Sequence, residues 1–206
     1  MVITIPVGPY ATNAYIYCNE ATRAGIVIDP ASDAQGILDR AKAHGVDIRA
    51  VLITHGHFDH IGAVDEIRAA LNVPVYASRL EANLAKDASQ NGTQFFGMRP
   101  ITATVDNFLS EEGAVDFGGV TMHVLATPGH TLGSLCFYVP EENALFAGDT
   151  LFKESYGRYD LPTGDYTELI SSLERLLALP EETVVYPGHG PATTIGYERI
   201  NNLIRK

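Results

Sequence analysis

The chain has 206 residues, enough for one large domain or two small ones, and its 46% hydrophobic and 19% charged content marks a globular protein rather than a disordered one. Its formal charge of −11, from 25 acidic against 14 basic side chains, repels phosphate backbones and anionic lipid, so neither nucleic acid nor a membrane surface is an expected partner. No run reaches the ~20 apolar residues of a membrane span. Met1 to Gly8 reads as a strand rather than a secretory leader, and the two cysteines, Cys18 and Cys136, imply no disulfide framework, so a cytoplasmic location is expected.

Alternating apolar runs at Val2 to Val7, Asn13 to Tyr17 and Ala24 to Ile28 predict antiparallel strands, the third ended by Asp29-Pro30. A helix is expected from about Asp33, with Ser32 or Asp33 as N-cap, Ile37, Leu38 and Ala41 on one face, and Gly45 as its stop. Ala50 to Thr54 is a short buried strand that runs directly into His55. Ile61, Val64, Ile67 and Leu71 recur at helical spacing, which starts a second helix right after His60. Val73 to Tyr76 is a strand, and Ser78 with Glu81 three residues on resembles a capping box. Residues 87–107, rich in Gly, Asn and Thr, predict a loop over the site. Further strands are expected at Val120 to Ala126, Ser134 to Val139, Ala144 to Ala147 and Thr183 to Tyr186. Asp165 with Glu168 opens an amphipathic helix that Pro180 stops, and a last helix starts near Ile195. Strands and helices in each half suggest two sheets packed face to face with helices outside.

The chemistry concentrates in Thr54-His55-Gly56-His57-Phe58-Asp59-His60. Three imidazoles and a carboxylate on one loop are good ligands for first-row divalent metals. His55 and His57 alternate and can reach one ion, while the adjacent Asp59 and His60 can turn to a second. Three more strand ends deliver one ligand-type residue each, directly after a glycine: Gly129-His130, Gly148-Asp149 and Gly188-His189. A single such residue is ordinarily a turn residue; three built alike beside the first cluster argue for a site. The two remaining histidines have structural explanations, His44 in the last turn of a helix and His123 inside a strand that packs or faces water. Cys18 and Cys136 lie in strands, where a buried, unreactive thiol is the ordinary case.

The H-x-H-x-D-H segment followed by distant His, Asp and His resembles the metallo-β-lactamase superfamily across essentially the whole chain. The resemblance implies one domain over residues 1–206, an α/β fold built as a four-layer αββα sandwich of two mixed sheets with outer helices. It implies that His55, His57 and His130 bind one metal, Asp59, His60 and His189 the other, and that Asp149 bridges them. Zinc is the expected metal, with iron or manganese as alternatives, since a site of histidine and aspartate without thiolate does not discriminate by softness. Asp29 resembles an outer position of the family that supports the ligands.

Lactamases of the fold carry cysteine or histidine where Asp149 stands, nucleic-acid-cleaving relatives carry extra arms, and flavin-linked di-iron relatives have glutamate in place of His57. Gly148-Asp-Thr-Leu-Phe152 followed by Gly157-Arg158-Tyr159-Asp160 is similar to the glyoxalase II group, and the chain resembles its shorter hydrolases without a C-terminal helical domain. That resemblance implies hydrolysis of a small thioester such as S-lactoylglutathione by a metal-bridging hydroxide, with Asp59 orienting the nucleophile. Arg158 matches a basic substrate-contacting position, and Lys153 and Tyr156 are nearby candidates. The alternatives are hydrolysis of another ester or lactone, a persulfide dioxygenase-like reaction at a single iron held by His55, His130 and Asp149, and a non-catalytic scaffold, against which every ligand position is filled.

Overall fold

The computed structural model describes residues 1–110 and 112–205. Strands β1 (Val2–Val7), β2 (Thr12–Cys18), β3 (Ala24–Ile28), β4 (Asp47–Leu52), β5 (Val75–Ser78) and β6 (Asn107–Leu109) form one sheet in that order. Its first three strands pair antiparallel and the rest parallel, so the sheet is mixed. The second sheet takes β7 (Glu112–Asp116), β8 (Thr121–Ala126), β9 (Leu135–Val139) and β10 (Ala144–Gly148). After a small hairpin of β11 (Leu151–Phe152) and β12 (Ser155–Tyr156), the sheet is completed by β13 (Val184–Pro187) and β14 (Thr193–Thr194). Its order is β14-β13-β10-β9-β8-β7, with β10 and β13 parallel.

Three apolar layers hold these sheets in the four-layer αββα arrangement. Period-two alternation assigns each side chain to its layer. In β4 Ala50 and Leu52 face the second sheet, whereas Val51 faces the outer helices; in β9 Leu135 and Phe137 face the first sheet and Cys136 faces outward. Helices α1 (Ala34–Ala43), α2 (Phe58–Ile61), α3 (Val64–Leu71) and α4 (Arg79–Lys86) belong to the first half, and Ile37, Val64, Ile67 and Ala85 pack with Val27 and Val51. Helices α5 (Tyr166–Leu176) and α6 (Ile195–Asn201) cover the second sheet through Leu169, Leu173, Leu176 and Ile195. Strands β3, β9 and β10 are buried along their whole length, which explains their unbroken apolar sequences.

The local signals mostly match the elements. Asp33 caps α1 by accepting from Gly36 N–H at 3.1 Å, and Asp165 caps α5 by accepting from Glu168 N–H at 3.0 Å. The expected helix after His60 differs. A single turn, α2, already contains Asp59 and His60, and the chain re-enters helix only at Val64, because Ala63 N–H bonds Pro30 O at 2.9 Å. The capping box at Ser78 is one-sided. Ser78 Oγ accepts from Glu81 N–H, but the Glu81 carboxylate turns elsewhere. β6 and β7 have no counterpart among the expected strands; β7 is an exposed edge whose Glu-Gly-Ala-Val-Asp sequence carries no apolar alternation. Among the described residues no helix is long and apolar enough to cross a membrane.

Candidate metal centre

All seven expected ligands converge where strand ends of the two sheets meet. His55 and His57 follow β4, Asp59 and His60 lie in α2, and His130, Asp149 and His189 follow β8, β10 and β13. One nitrogen from each of His55, His57 and His130 falls within 4.8 Å of the others, and the same holds for the ligand atoms of Asp59, His60 and His189. Asp149 stands between the two sets, with Oδ1 3.4 Å from His60 Nε2 and Oδ2 3.7 Å from His130 Nε2 and 3.5 Å from His189 Nε2. Gly188 explains the glycine before that strand-end ligand: a Cβ there would overlap Asp149 Oδ1 and lie 2.7 Å from His60 Cε1.

Hydrogen bonds around the cluster fix which nitrogen of each ring faces inward. Asp29 accepts from Thr54 N–H at 2.8 Å, from Thr54 Oγ1–H at 2.6 Å and from His60 Nδ1–H at 3.0 Å. With its own hydrogen given to Asp29, Thr54 Oγ1 accepts from His55 Nδ1–H at 3.1 Å. One carboxylate therefore orients both rings through their Nδ1 atoms and turns Nε2 of His55 and of His60 inward. Asp29 also falls within ligand distance of His55 and His60, but these bonds already occupy it as an orienting group. His130 Nδ1–H donates to Arg158 O at 2.7 Å and His189 Nδ1–H to Tyr10 O at 3.2 Å, which again turns Nε2 inward. His57 is the exception: its Nδ1 faces His130 Nε2 at 3.0 Å.

Among the described residues, the buried side-chain atoms without a hydrogen-bond partner are His55 Nε2, His57 Nε2, His60 Nε2 and Asp149 Oδ1 at the cluster and the hydroxyls of Thr12 and Thr183. Buried polar atoms are normally paired, so unsatisfied lone pairs that point into one small volume are the fit expected for a cation. The protonation states divide the two sets. Burial holds His55 well below the usual histidine range, and burial with the neighbouring His130 lowers His57 to about 3. Burial also lowers His130, so all three imidazoles offer lone pairs at neutral pH. Burial opposes charge at His60 too, but Asp149 and Asp29 outweigh it and raise that ring well above its ordinary value. At His189 the carboxylates of Asp149 and Asp59 overcome burial and raise the pKa to about 9. Burial likewise acts against charge at Asp149, yet His60 and His189 hold it ionised.

Glu81, read from sequence as a helix cap, belongs to the support of the site. It is 1% exposed and accepts from Gly56 N–H at 2.6 Å and Gly133 N–H at 2.8 Å. It thus clamps the loop between His55 and His57 to the segment just after His130. The same close packing requires glycine at 56, where a Cβ would lie 2.7 Å from Ala85 N and Glu81 O. Asn13 and Tyr15 were also missed: Asn13 Nδ2 donates to Pro187 O at 3.0 Å and Gly190 O at 2.9 Å, and Tyr15 OH to Pro187 O at 2.6 Å, fixing the loop of His189. No pattern in the sequence distinguishes them from strand residues.

A cavity of about 480 Å³ opens onto the cluster, lined by His57, Asp59, His130, Asp149 and His189 together with Tyr10, Phe58, Asn91, Gly92, Phe96, Phe152, Leu161 and Arg158. The 87–107 segment contributes Asn91, Gly92 and Phe96, as a loop over the site should. Arg158 reaches the cavity, but its guanidinium makes a two-pronged pair with Asp160 at 2.8 and 3.0 Å. The structure does not bring Lys153 and Tyr156 there. The β11–β12 turn places Lys153 Nζ 5.5 Å from the Tyr197 ring centre, and Tyr156 packs with the apolar layer under α5. His44 bonds Arg40 O at its helix end, and His123 is exposed on β8.

Comparisons with known proteins agree with this geometry. A hydroxyacylglutathione hydrolase, GloC, from Haemophilus influenzae is 33% identical over 201 residues, covering 96% of this chain and 94% of its own. The crystal structure of BLEG-1 B3 metallo-beta-lactamase superposes with a TM-score of 0.94 at 42% identity and 98% coverage of both chains. That of TTHA1623 in a di-iron-bound form does so with a TM-score of 0.88 at 39% identity, again with 98% coverage of both. The model of the metallo-beta-lactamase superfamily matches residues 7–189, which spans every candidate ligand from His55 to His189. The chain belongs to the metallo-beta-lactamase superfamily.

Proposed function

We propose that the protein is a binuclear metal-dependent hydrolase of thioesters. His55, His57 and His130 would hold one divalent ion, Asp59, His60 and His189 the other, and Asp149 would touch both. The observation that carries this reading is the convergence of two complete ligand sets, with His55 Nε2, His60 Nε2 and Asp149 Oδ1 buried among them without a hydrogen-bond partner. A pair of divalent ions supplies Lewis acidity and a water acid enough to ionise near pH ~7. The protein's own groups do the rest. Asp59 is held ionised, burial being outweighed by His189 and His60, and it lines the cavity where it can orient the nucleophile. A thiolate with a parent pKa of about 8.5 leaves without needing a strong acid, and the cavity lining offers none beyond the metal ligands.

Similarity to GloC supports the thioester class, and similarity to BLEG-1 keeps β-lactam hydrolysis as a second reading. The di-iron form of TTHA1623 keeps iron beside zinc as a candidate metal. The test is a panel of S-lactoylglutathione, a neutral thioester, a lactone, a β-lactam and a persulfide, run with chelated and with zinc-, manganese- and iron-loaded protein. Metal-dependent release of thiol without oxygen uptake is the expected result. Oxygen consumption on a persulfide, or turnover of the β-lactam alone, would replace the thioesterase reading.

A further inference from the structure

The cavity has two unlike ends. Beside Asp59 and His189 its wall is aromatic: Tyr10, Phe58, Phe96 and Phe152 line it. Tyr10 meets Phe58 edge-on with ring centres 5.4 Å apart, Phe58 lies 5.6 Å from Phe96, and Phe152 lies 6.2 Å from the His189 ring. Phe58 is buried and backs the wall, whereas Tyr10 and Phe96 are each 41% exposed, and Phe96 belongs to a loop whose base is fixed by buried Asn91, bonded to Ile101 O and Thr93. At the other end, where its carbonyl oxygen bonds His130 Nδ1, stands Arg158, the one arginine or lysine among the lining residues, with its charge offset by Asp160.

A thioester placed across the ligands has one end that gains negative charge as the carbon–sulfur bond breaks and one that does not. The leaving sulfur is favoured toward Arg158, which turns the acyl group to the aromatic wall. There it meets no charged side chain except the ligands themselves, while each methylene it buries leaves water favourably. Resting on the thioesterase reading above, we infer that the aromatic wall of Tyr10, Phe58, Phe96 and Phe152 is an acyl-group subsite. The preferred substrates are therefore thioesters of aryl or medium-length alkyl acids rather than of small hydroxy acids.

The experiment is a series of thioesters of one neutral thiol, N-acetylcysteamine, with lactoyl, acetyl, butanoyl, hexanoyl and phenylacetyl groups, assayed on metal-loaded protein. The subsite predicts a rise in kcat/KM of up to about fourfold per added methylene. Phe96→Ala should flatten that slope, whereas Phe95→Ala, whose ring is 67% exposed and not part of the lining, should keep it. A series that is flat, or highest on the lactoyl compound, overturns the subsite and leaves the thioesterase reading standing. Inactivity on every member instead removes the thioesterase reading. Calorimetric binding of matched non-hydrolysable thioethers then decides the subsite by itself: affinity must climb with chain length and lose that climb in Phe96→Ala, and length-independent binding overturns it.

Discussion

The two candidate ligand sets lie side by side and are built from nearly the same residue types, yet they hold protons in opposite ways. His55, His57 and His130 are at most 4% exposed, and burial keeps them neutral. His60 and His189 sit against Asp29, Asp59 and Asp149, and those carboxylates hold protons on them. The lesson concerns the order of events. An ion entering the first set meets lone pairs already bare, whereas an ion entering the second must displace protons. The sets also differ in what braces them, Glu81 for the first and the Asn13–Tyr15 strand for the second, while Asp29 bonds His60 directly and reaches His55 only through Thr54.

The largest expected effect erases the comparison. Asp149 stands between the two sets, near His130 on one side and His60 and His189 on the other, so Asp149→Asn should loosen both ions together and cut kcat by more than the ~10–100-fold typical of outer-partner substitutions. Metal analysis and turnover check it, and normal metal content with near-normal turnover would reduce Asp149 to a turn residue. The braces should separate the sets. Glu81→Gln cannot accept from both Gly56 and Gly133, and should weaken the first ion about 10–100-fold while sparing the second. Asp29→Asn should act mainly through His60 and weaken the second ion, with some cost at the first through Thr54 and His55. Affinities measured in backgrounds that retain one set decide this, and equal losses at both sets from Glu81→Gln would make it a purely structural clamp.

Proton linkage gives a smaller, signed effect in the metal-free protein. His57 titrates near 3 when folded and near 6.5 when unfolded, so its neutral burial favours the fold above pH 6.5 and this contribution fades as pH falls toward about 3. His189 runs the other way. Its stabilisation is complete below pH 6.5 and is lost as pH rises through about 9. Thermal melts across pH should show both limbs without metal, and the alkaline limb should vanish when the second ion is loaded. A metal-free protein with no alkaline limb would remove the proton from His189. The smallest effect is at Lys153. Its contact over the Tyr197 ring is surface-exposed, so Lys153→Ala should cost no more than ~0.5–1 kcal/mol and leave kcat/KM unchanged.

Much of the candidate centre is legible because clustered histidines and aspartates are chemically rare and sit on short motifs. Three imidazoles around Gly56, and glycine before His130, Asp149 and His189, need no knowledge of the fold to stand out. The sandwich was legible for a related reason: buried strands such as β3, β9 and β10 read as continuous apolar runs. What escaped depended on tertiary placement. Glu81 looks like a capping residue until α4 is docked beneath Gly56, and Asn13 looks like any strand residue until β2 meets the end of β13. Lys153 and Tyr156 lie close to Arg158 in sequence, but the β11–β12 hairpin turns them away from the cavity. β7 escaped because an exposed edge strand needs no apolar alternation.

The central claim is that two separable sets hold two ions, and metal titration of His55→Ala beside His60→Ala tests it most directly. Each variant should keep about one ion per chain. His60→Ala should retain the ion of the neutral set and take it up without proton release, while His55→Ala should retain the ion of the acidic set and release protons as it binds. If both substitutions empty the same single site, or if proton release does not distinguish them, the chain does not hold two metal sites of this kind.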